Sequence, residues 1–221
     1  MQKIKHRSLF RKKFPFLILC LFFFSQSNIN AQNFDKKDWK LKTTKGNLKI
    51  YTRKNKNSDV KEIRITTSIN APLDKVLTVL NDVNNYPKWV FKCMEAKKIK
   101  VHSSSDYIYY SKSDFPFPFT DRDIVVHSRQ WKDEKTGVLF SHSKATTSDL
   151  FPENKGVVRI TILDAYWKIT AQTDGTLDID YTALTDPAGK LPPWIINLGI
   201  TKGSVETLKR FQVLVEPKLE R

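Results

Sequence analysis

The chain has 221 residues and carries 38 lysines and arginines against 23 acidic residues, a formal net charge of +15. This length suits one domain of ordinary size with its own hydrophobic core. The chain has seven glycines, which argues against a glycine-rich phosphate-binding loop. It also lacks the motifs of a phosphate-binding loop, a dinucleotide-binding loop and a serine nucleophile elbow.

The first 31 residues have the three-part order of a secretory signal peptide. Six cations without an acid precede the apolar run "FPFLILCLFFF", and Ala31 then offers a cleavage site. This run of eleven is too short for a membrane-spanning helix, which needs about 20 residues. Cys20 suggests a short anchor or a lipoprotein as the competing interpretation, but Leu19 before it is bulkier than a lipidation site favours. We expect cleavage, export to the periplasm or the medium, and a single domain over 32–221.

Cleavage would reduce the net charge from +15 to about +9, so the mature chain remains basic. A basic surface favours anionic partners, such as phospholipid headgroups or nucleic acid. The densest cluster, 97–100, is too small for a polybasic arm, and a solvated surface explains it more simply. We expect transient contact with an anionic membrane surface, no nucleic-acid partner and a monomer. Cys93 would be the single remaining cysteine, so packing rather than an intramolecular disulfide must stabilise the fold.

Two strands and a helix are predicted at the start of the mature chain. Apolar and polar residues alternate over 47–53 and 60–69, with a polar turn between them. Pro72 then opens an amphipathic helix with apolar residues at helical spacing. Pro87 should end this helix, and a second short helical piece is expected to begin at Trp89.

Six further strands and a long helix complete the pattern. Turns rich in Ser, Asp, Pro and Gly separate strand-like segments at 96–102, 105–113, 121–131, 137–147, 156–170 and 176–186. One apolar stripe then runs along a predicted helix from Trp194 to about Val215. The predicted class is α+β, with a curved antiparallel sheet against a long C-terminal helix. Because one helix cannot fill the concave face of such a sheet, we expect an internal cavity for a small apolar ligand.

Candidate catalytic groups are few. The three histidines of the mature chain lie at no metal-ligand spacing from another histidine or cysteine. Asp121 and Asp123 form a carboxylate pair, but they are more simply explained as strand-end groups that bond to neighbouring turns. Cys93 has no evident activating partner. We therefore expect no catalytic residue, no metal and no cofactor.

Four segments, in this order along the chain, carry a resemblance to a known family. They are "NNYPKW" (84–89), "YIYYSKSDFPFPFTDRDIVV" (107–126), "FPENKGVVRI" (151–160) and "DPAGKLPPWIIN" (186–197). With them the chain resembles the START family, the steroidogenic acute regulatory protein-related lipid transfer domains, over roughly Trp39 to Val215. Each segment alone matches the family pattern only weakly, but four segments in order at matching separations make a specific signal.

The resemblance implies a helix-grip fold, in which a curved antiparallel sheet wraps around a long C-terminal helix and encloses a lipid-sized tunnel. It also implies lipid binding or transfer without catalytic residues. The tunnel mouth should lie at the turns Phe115–Thr120 and Gly189–Pro193. The predicted mouth and membrane-contact residues are Phe115, Phe117, Phe119, Leu191 and Trp194.

The predicted lining of the tunnel combines the resemblance with strand alternation. The buried acid–arginine pair of sterol-binding members falls on Ser111 and Ser128 here, which places sterol specificity in doubt and leaves neutral hydroxyls as polar groups. If these serines point inward, residues an even number away on the same strands do so too. The predicted lining residues are Tyr107, Tyr109, Ser111, Ile124, Val126 and Ser128, with Leu198, Val205 and Leu208 on the helix. Gly199 and Gly203, on the same helix, indicate either close packing or a softer helix that can lift.

The leading hypothesis is an exported domain that binds an amphipathic lipid in an internal tunnel, with transfer between membranes as a further expectation. One alternative is a cavity enzyme of the wider superfamily, which would process a polyketide-like or aromatic substrate in a cyclase-like reaction. Another is a ligand-free module whose side chains fill the cavity and whose surface contacts other proteins.

Overall fold

The computed structural model describes residues 38–55, 60–189 and 191–217, without the side chains of Pro193 and Leu198. The predicted signal peptide, residues 1–31, lies outside this part of the chain and stays a prediction. None of the helices among the described residues is both long and apolar enough to cross a membrane.

The described chain forms ten strands, two α-helices and one 3₁₀ helix. The strands are β1 (Lys40–Lys45), β2 (Leu48–Lys54), β3 (Lys61–Ile69), β4 (Cys93–Ser103), β5 (Asp106–Ser113), β6 (Arg122–Lys132), β7 (Leu139–Ala145), β8 (Val158–Arg159), β9 (Ile162–Ala171) and β10 (Leu177–Asp186). The helices are α1 (Leu73–Asn81), the 3₁₀ helix (Val83–Lys88) and α2 (Pro193–Val215).

All ten strands belong to one sheet, in the order β1-β2-β3-β10-β9-β7-β6-β5-β4. Every pair along this path is antiparallel, and the two-residue β8 joins β6 in parallel. The β3–β10 pair unites the strands on either side of α1 with those that follow it, so a single sheet spans the domain. The predicted α+β class with a large antiparallel sheet is confirmed.

The sequence pattern missed β1 and misplaced three boundaries. β1 is an edge strand with almost every residue exposed, so it carries no alternation. The predicted strand 156–170 is divided into β8 and β9. α1 ends at Asn81 instead of near Pro87, and the second helical piece is Val83–Lys88 instead of starting at Trp89. The Tyr86 hydroxyl donates to the Leu80 carbonyl at 2.7 Å, which satisfies an orphan carbonyl at the end of α1.

The core lies between the sheet and α2. Alternate residues of β3 are buried, and so are Leu177, Ile179 and Ala183 of β10 and Leu208, Phe211 and Val215 at helical spacing on α2. Gln212, also buried, donates to the Thr67 hydroxyl at 3.2 Å. The C-terminal half of α2 is therefore fixed to the sheet by apolar packing and by a hydrogen bond.

Candidate ligand-binding cavity

An internal cavity of about 620 Å³ lies between the concave face of the sheet and the N-terminal half of α2. This volume is within the roughly 300–1,000 Å³ of small-molecule sites. Strands β5, β6, β7, β9 and β10 line one side, and the 3₁₀ helix with the loop after it closes another. Most of the lining is aliphatic or aromatic, including Trp89, Leu163, Trp167 and Ile200. The predicted cavity is present.

Small side chains in one row across the sheet keep the floor of the cavity open. Ala183 pairs with Ala165, Ala165 with Ser143, and Ser143 with Ser128, so four adjacent strands present small residues side by side. All four line the cavity. Because larger side chains at these positions would fill the space under α2, this row sets the depth of the cavity.

Hydroxyl groups are the polar groups of this floor. The Ser143 hydroxyl donates to the Ser128 hydroxyl at 3.3 Å. Ser141 and Tyr181 also line the cavity, and within the described residues their hydroxyls have no hydrogen-bond partner. Burial raises the pKa of Tyr181 to about 12, and burial raises the pKa of Tyr109 well above its usual range. The floor is therefore neutral at physiological pH.

Most of the predicted lining residues reach the cavity, and Val205 does not. The residues that line it are Tyr107, Tyr109, Ser111, Ile124, Val126, Ser128 and Leu208. Val205 is instead buried in the core packing, while Ser204 and Thr207 of the same helix line the cavity. The side chain of Leu198 lies outside what the structure describes. Ligand contact by these residues stays a prediction.

Several lining residues were not predicted. Those on β7, β9 and β10 include Ser141, Ser143, Ala165, Trp167, Tyr181 and Ala183. Alternation along these strands separates two faces, but it does not tell which face is concave. The family resemblance alone indicated which face of a strand is concave, and among the strands it did so only for β5 and β6.

Each of the two predicted mouth turns contributes a residue to the cavity wall. Phe115 and Leu191 line the cavity itself. Phe117 is 97% exposed and Trp194 is 68% exposed, whereas Phe119 is half-buried. Phe117 follows the lining residue Pro116 and Trp194 precedes the lining residue Ile195, and we call these two exposed side chains the apolar rim.

Arg122 ties the two mouth turns together. Its side chain is buried, and its guanidinium donates to the carbonyl of Thr120 in the first turn. It also donates to the carbonyls of Pro187 and Ala188, before the second turn, at 3.3 Å each. The Phe115 ring lies 4.3 Å from the guanidinium carbon. The Arg122 guanidinium thus connects the first predicted mouth turn to the residues that precede the second.

The carboxylate pair considered from the sequence does not face the cavity together. Asp123 is buried and accepts two hydrogen bonds from Arg159, at 2.7 and 3.0 Å, so it is a buried ion pair and not a strand-end surface group. Asp121 accepts from the Phe115 amide and pairs with Lys112, as expected of a group bonded to a turn.

Two histidines pair with carboxylates, and neither lines the cavity. His127 contacts Asp106 at 2.7 Å, and His142 contacts Asp164 at 2.6 Å. Among the described residues, the charged side chains that line the cavity are Lys92, Asp114 and Lys202, on the loop before β4, the turn after β5 and α2. Carboxylates and histidines are therefore absent from the floor as far as the structure describes it.

The two glycines of α2 have different surroundings. A Cβ at Gly203 would lie 3.1 Å from Cδ1 of Phe91, so this glycine permits close packing of the loop before β4. A Cβ at Gly199 would meet nothing within 4 Å, and Gly199 lines the cavity. The close-packing interpretation holds for Gly203 alone.

These features define a class of protein: a helix-grip domain with an apolar, ligand-sized cavity. The START domain family model matches residues 26–216. The chain belongs to the START domain family, as the sequence segments suggested. At the level of the family, START domains bind hydrophobic ligands and transfer lipids.

Comparison with individual proteins agrees with this membership. The uncharacterised protein PA1579 of Pseudomonas aeruginosa is 32% identical over 183 residues, which cover 82% of this chain and 88% of that protein. Mouse phosphatidylcholine transfer protein is 23% identical over 78% of this chain and 81% of its own length. The STAR-related lipid transfer protein fragment of Xanthomonas axonopodis superposes with a TM-score of 0.72 at 26% identity, over 80% of this chain and 97% of that one.

Proposed function

We propose that this protein binds a lipid, or a similar hydrophobic molecule, in its internal cavity and carries it between membranes. The observation that supports this most is the apolar cavity of about 620 Å³. Protein interiors are normally close-packed, with few voids larger than a water molecule. A space this large therefore argues for a ligand and against the ligand-free module.

The charge distribution argues for binding without catalysis. An acid or base acting on a bound substrate must lie within hydrogen-bond reach of it. Among the described lining residues, the charged ones, Lys92, Asp114 and Lys202, lie outside the floor, which carries hydroxyls. We find no observation that favours the cyclase-like alternative.

The apolar rim supports transient docking on a membrane. Phe117 and Trp194 are exposed and lie in or beside the two predicted mouth turns, and Lys202, eight residues after Trp194 on α2, lines the cavity. Exposed aromatic side chains insert at the interface of a bilayer, and nearby cations favour anionic headgroups. The proposal includes export by the N-terminal segment, for which the basic, apolar and small-residue order of 1–31 is the support.

A vesicle transfer assay tests the proposal. Donor vesicles would contain a self-quenched fluorescent lipid, and the purified mature chain should raise the transfer rate to unlabelled acceptors in proportion to its concentration. Ala183→Phe, which would fill the row of small residues on the floor, should abolish the increase. Transfer at the rate without protein, or undiminished transfer by a folded Ala183→Phe variant, would contradict the proposal.

A further inference from the structure

The inner end of the cavity holds hydroxyl groups far from the mouth. Ser128 is six residues along β6 from Arg122, which is about 20 Å at the rise of an extended strand. Ser128 is 2% exposed and Ser141 is 4% exposed. These groups therefore lie at the end of the cavity away from the predicted mouth turns.

Two of these hydroxyls have unused hydrogen-bonding capacity. Within the described residues, Ser141 and Tyr181 have no hydrogen-bond partner, although both line the cavity. They belong to one row of the sheet: Ser141 pairs with Trp167, which pairs with Tyr181. The Ser128–Ser143 pair occupies the next row. Both oxygens reach the open space of the cavity, so a ligand atom placed there can bond to them and gain affinity.

The chemistry of this cluster selects the kind of ligand group. A hydroxyl donates one hydrogen bond and accepts others, so it matches a ligand hydroxyl or an ester carbonyl. A carboxylate or phosphate would lose its hydration here, and the described floor offers no cation to replace it. Charged headgroups are compatible only with the mouth.

We propose that Ser128, Ser141, Ser143 and Tyr181 form a subsite for a neutral oxygen group at the inner end of a lipid, such as the glycerol ester of an acylglycerol or the hydroxyl of a lipid alcohol. The inference rests on the proposed lipid-binding function and adds the class and the orientation of the ligand. The oxygen group enters first, and the hydrocarbon lies along the aromatic and aliphatic walls.

The test uses four probes with an 18-carbon chain: monooleoylglycerol, ionised oleate, oleoyl-lysophosphatidylcholine and octadecene. Binding to the mature chain is measured by displacement of an environment-sensitive fluorescent hydrocarbon. We expect monooleoylglycerol to bind at least about tenfold more tightly than oleate, because the anion pays an uncompensated cost of burial. Ser141→Ala and Ser128→Ala should each weaken monooleoylglycerol about 3- to 10-fold, the effect of one neutral hydrogen bond, and leave octadecene unchanged.

Ser68→Ala is the matched control, since Ser68 is exposed on β3 and should change no affinity. Thermal unfolding of each variant checks that the fold persists. Equal loss for monooleoylglycerol and octadecene in the serine variants would overturn the subsite, as would tighter binding of oleate or lysophosphatidylcholine than of monooleoylglycerol. Failure of all four probes to bind the unaltered chain would instead overturn the proposed function, and the subsite with it.

Discussion

Replacing Arg122 by methionine should loosen both turns at the mouth of the cavity. Arg122 is 3% exposed, and its guanidinium donates to three carbonyls, those of Thr120, Pro187 and Ala188. Hydrogen bonds to a charged group contribute about 1.5–3 kcal/mol each, but removing the cation also removes its desolvation cost. We therefore expect the free energy of unfolding to fall by about 2–4 kcal/mol, less than the sum of the three bonds.

Urea denaturation measures this loss, and hydrogen exchange locates it. Amides of 115–120 and 186–191 should exchange faster in Arg122→Met. Amides of β3 and β10 should still exchange only through global unfolding. Arg129→Met is the matched control, because Arg129 is 60% exposed and its pair with Asp106 should contribute at most about 1 kcal/mol. A change below about 0.5 kcal/mol, with unaltered exchange in both turns, would refute the idea that Arg122 joins them.

Three other predictions concern the mouth, the floor and α2. Phe117→Asp should weaken binding to anionic vesicles at least about tenfold, because it removes an exposed phenylalanine from the rim, and unchanged binding would exclude this side chain from the contact. Burial raises the pKa of Tyr181 to about 12, above its value of roughly 10 in the unfolded chain. The contribution of Tyr181 to stability is therefore complete below roughly pH 10 and is lost as the pH rises through about 12. Tyr181→Phe should lessen the fall of the free energy of unfolding in this pH range. Gly199→Ala should stabilise α2 by up to about 1 kcal/mol in thermal unfolding, whereas Gly203→Ala should not, and equal effects would contradict the difference in their surroundings.

Periodicity predicted most of this fold because the core positions follow it. β3 alternates buried isoleucines with partly exposed residues, and α2 buries Leu208 and Phe211 on one face. β1 could not be predicted in this way, since an exposed edge strand needs only backbone pairing and carries no apolar pattern. The end of α1 depends on a hydroxyl from beyond the helix, that of Tyr86, which local patterns do not encode.

The site could be predicted in part, for a related reason. Alternation grouped Ser111, Ile124 and Ser128 on one face, once the resemblance had given its direction, and all three line the cavity. The row of small residues on the floor could not be predicted, because it exists only once the order of the strands in the sheet is known. Ser128 on β6 and Ala165 on β9 both pair with Ser143 on β7. The apolar stripe of α2 serves both the core, where Val205 lies, and the cavity, and periodicity does not separate the two.

The most direct test of the central claim is native mass spectrometry of the mature chain isolated from its own host without delipidation. We expect a folded monomer that carries one hydrophobic molecule, identifiable by dissociation and accurate mass. Ala183→Phe, isolated in the same way, should be folded and empty, because the added ring fills the floor of the cavity. Unmodified protein that carries no ligand under conditions that preserve lipid complexes of a known carrier would contradict the account, as would a folded Ala183→Phe variant that retains the same molecule.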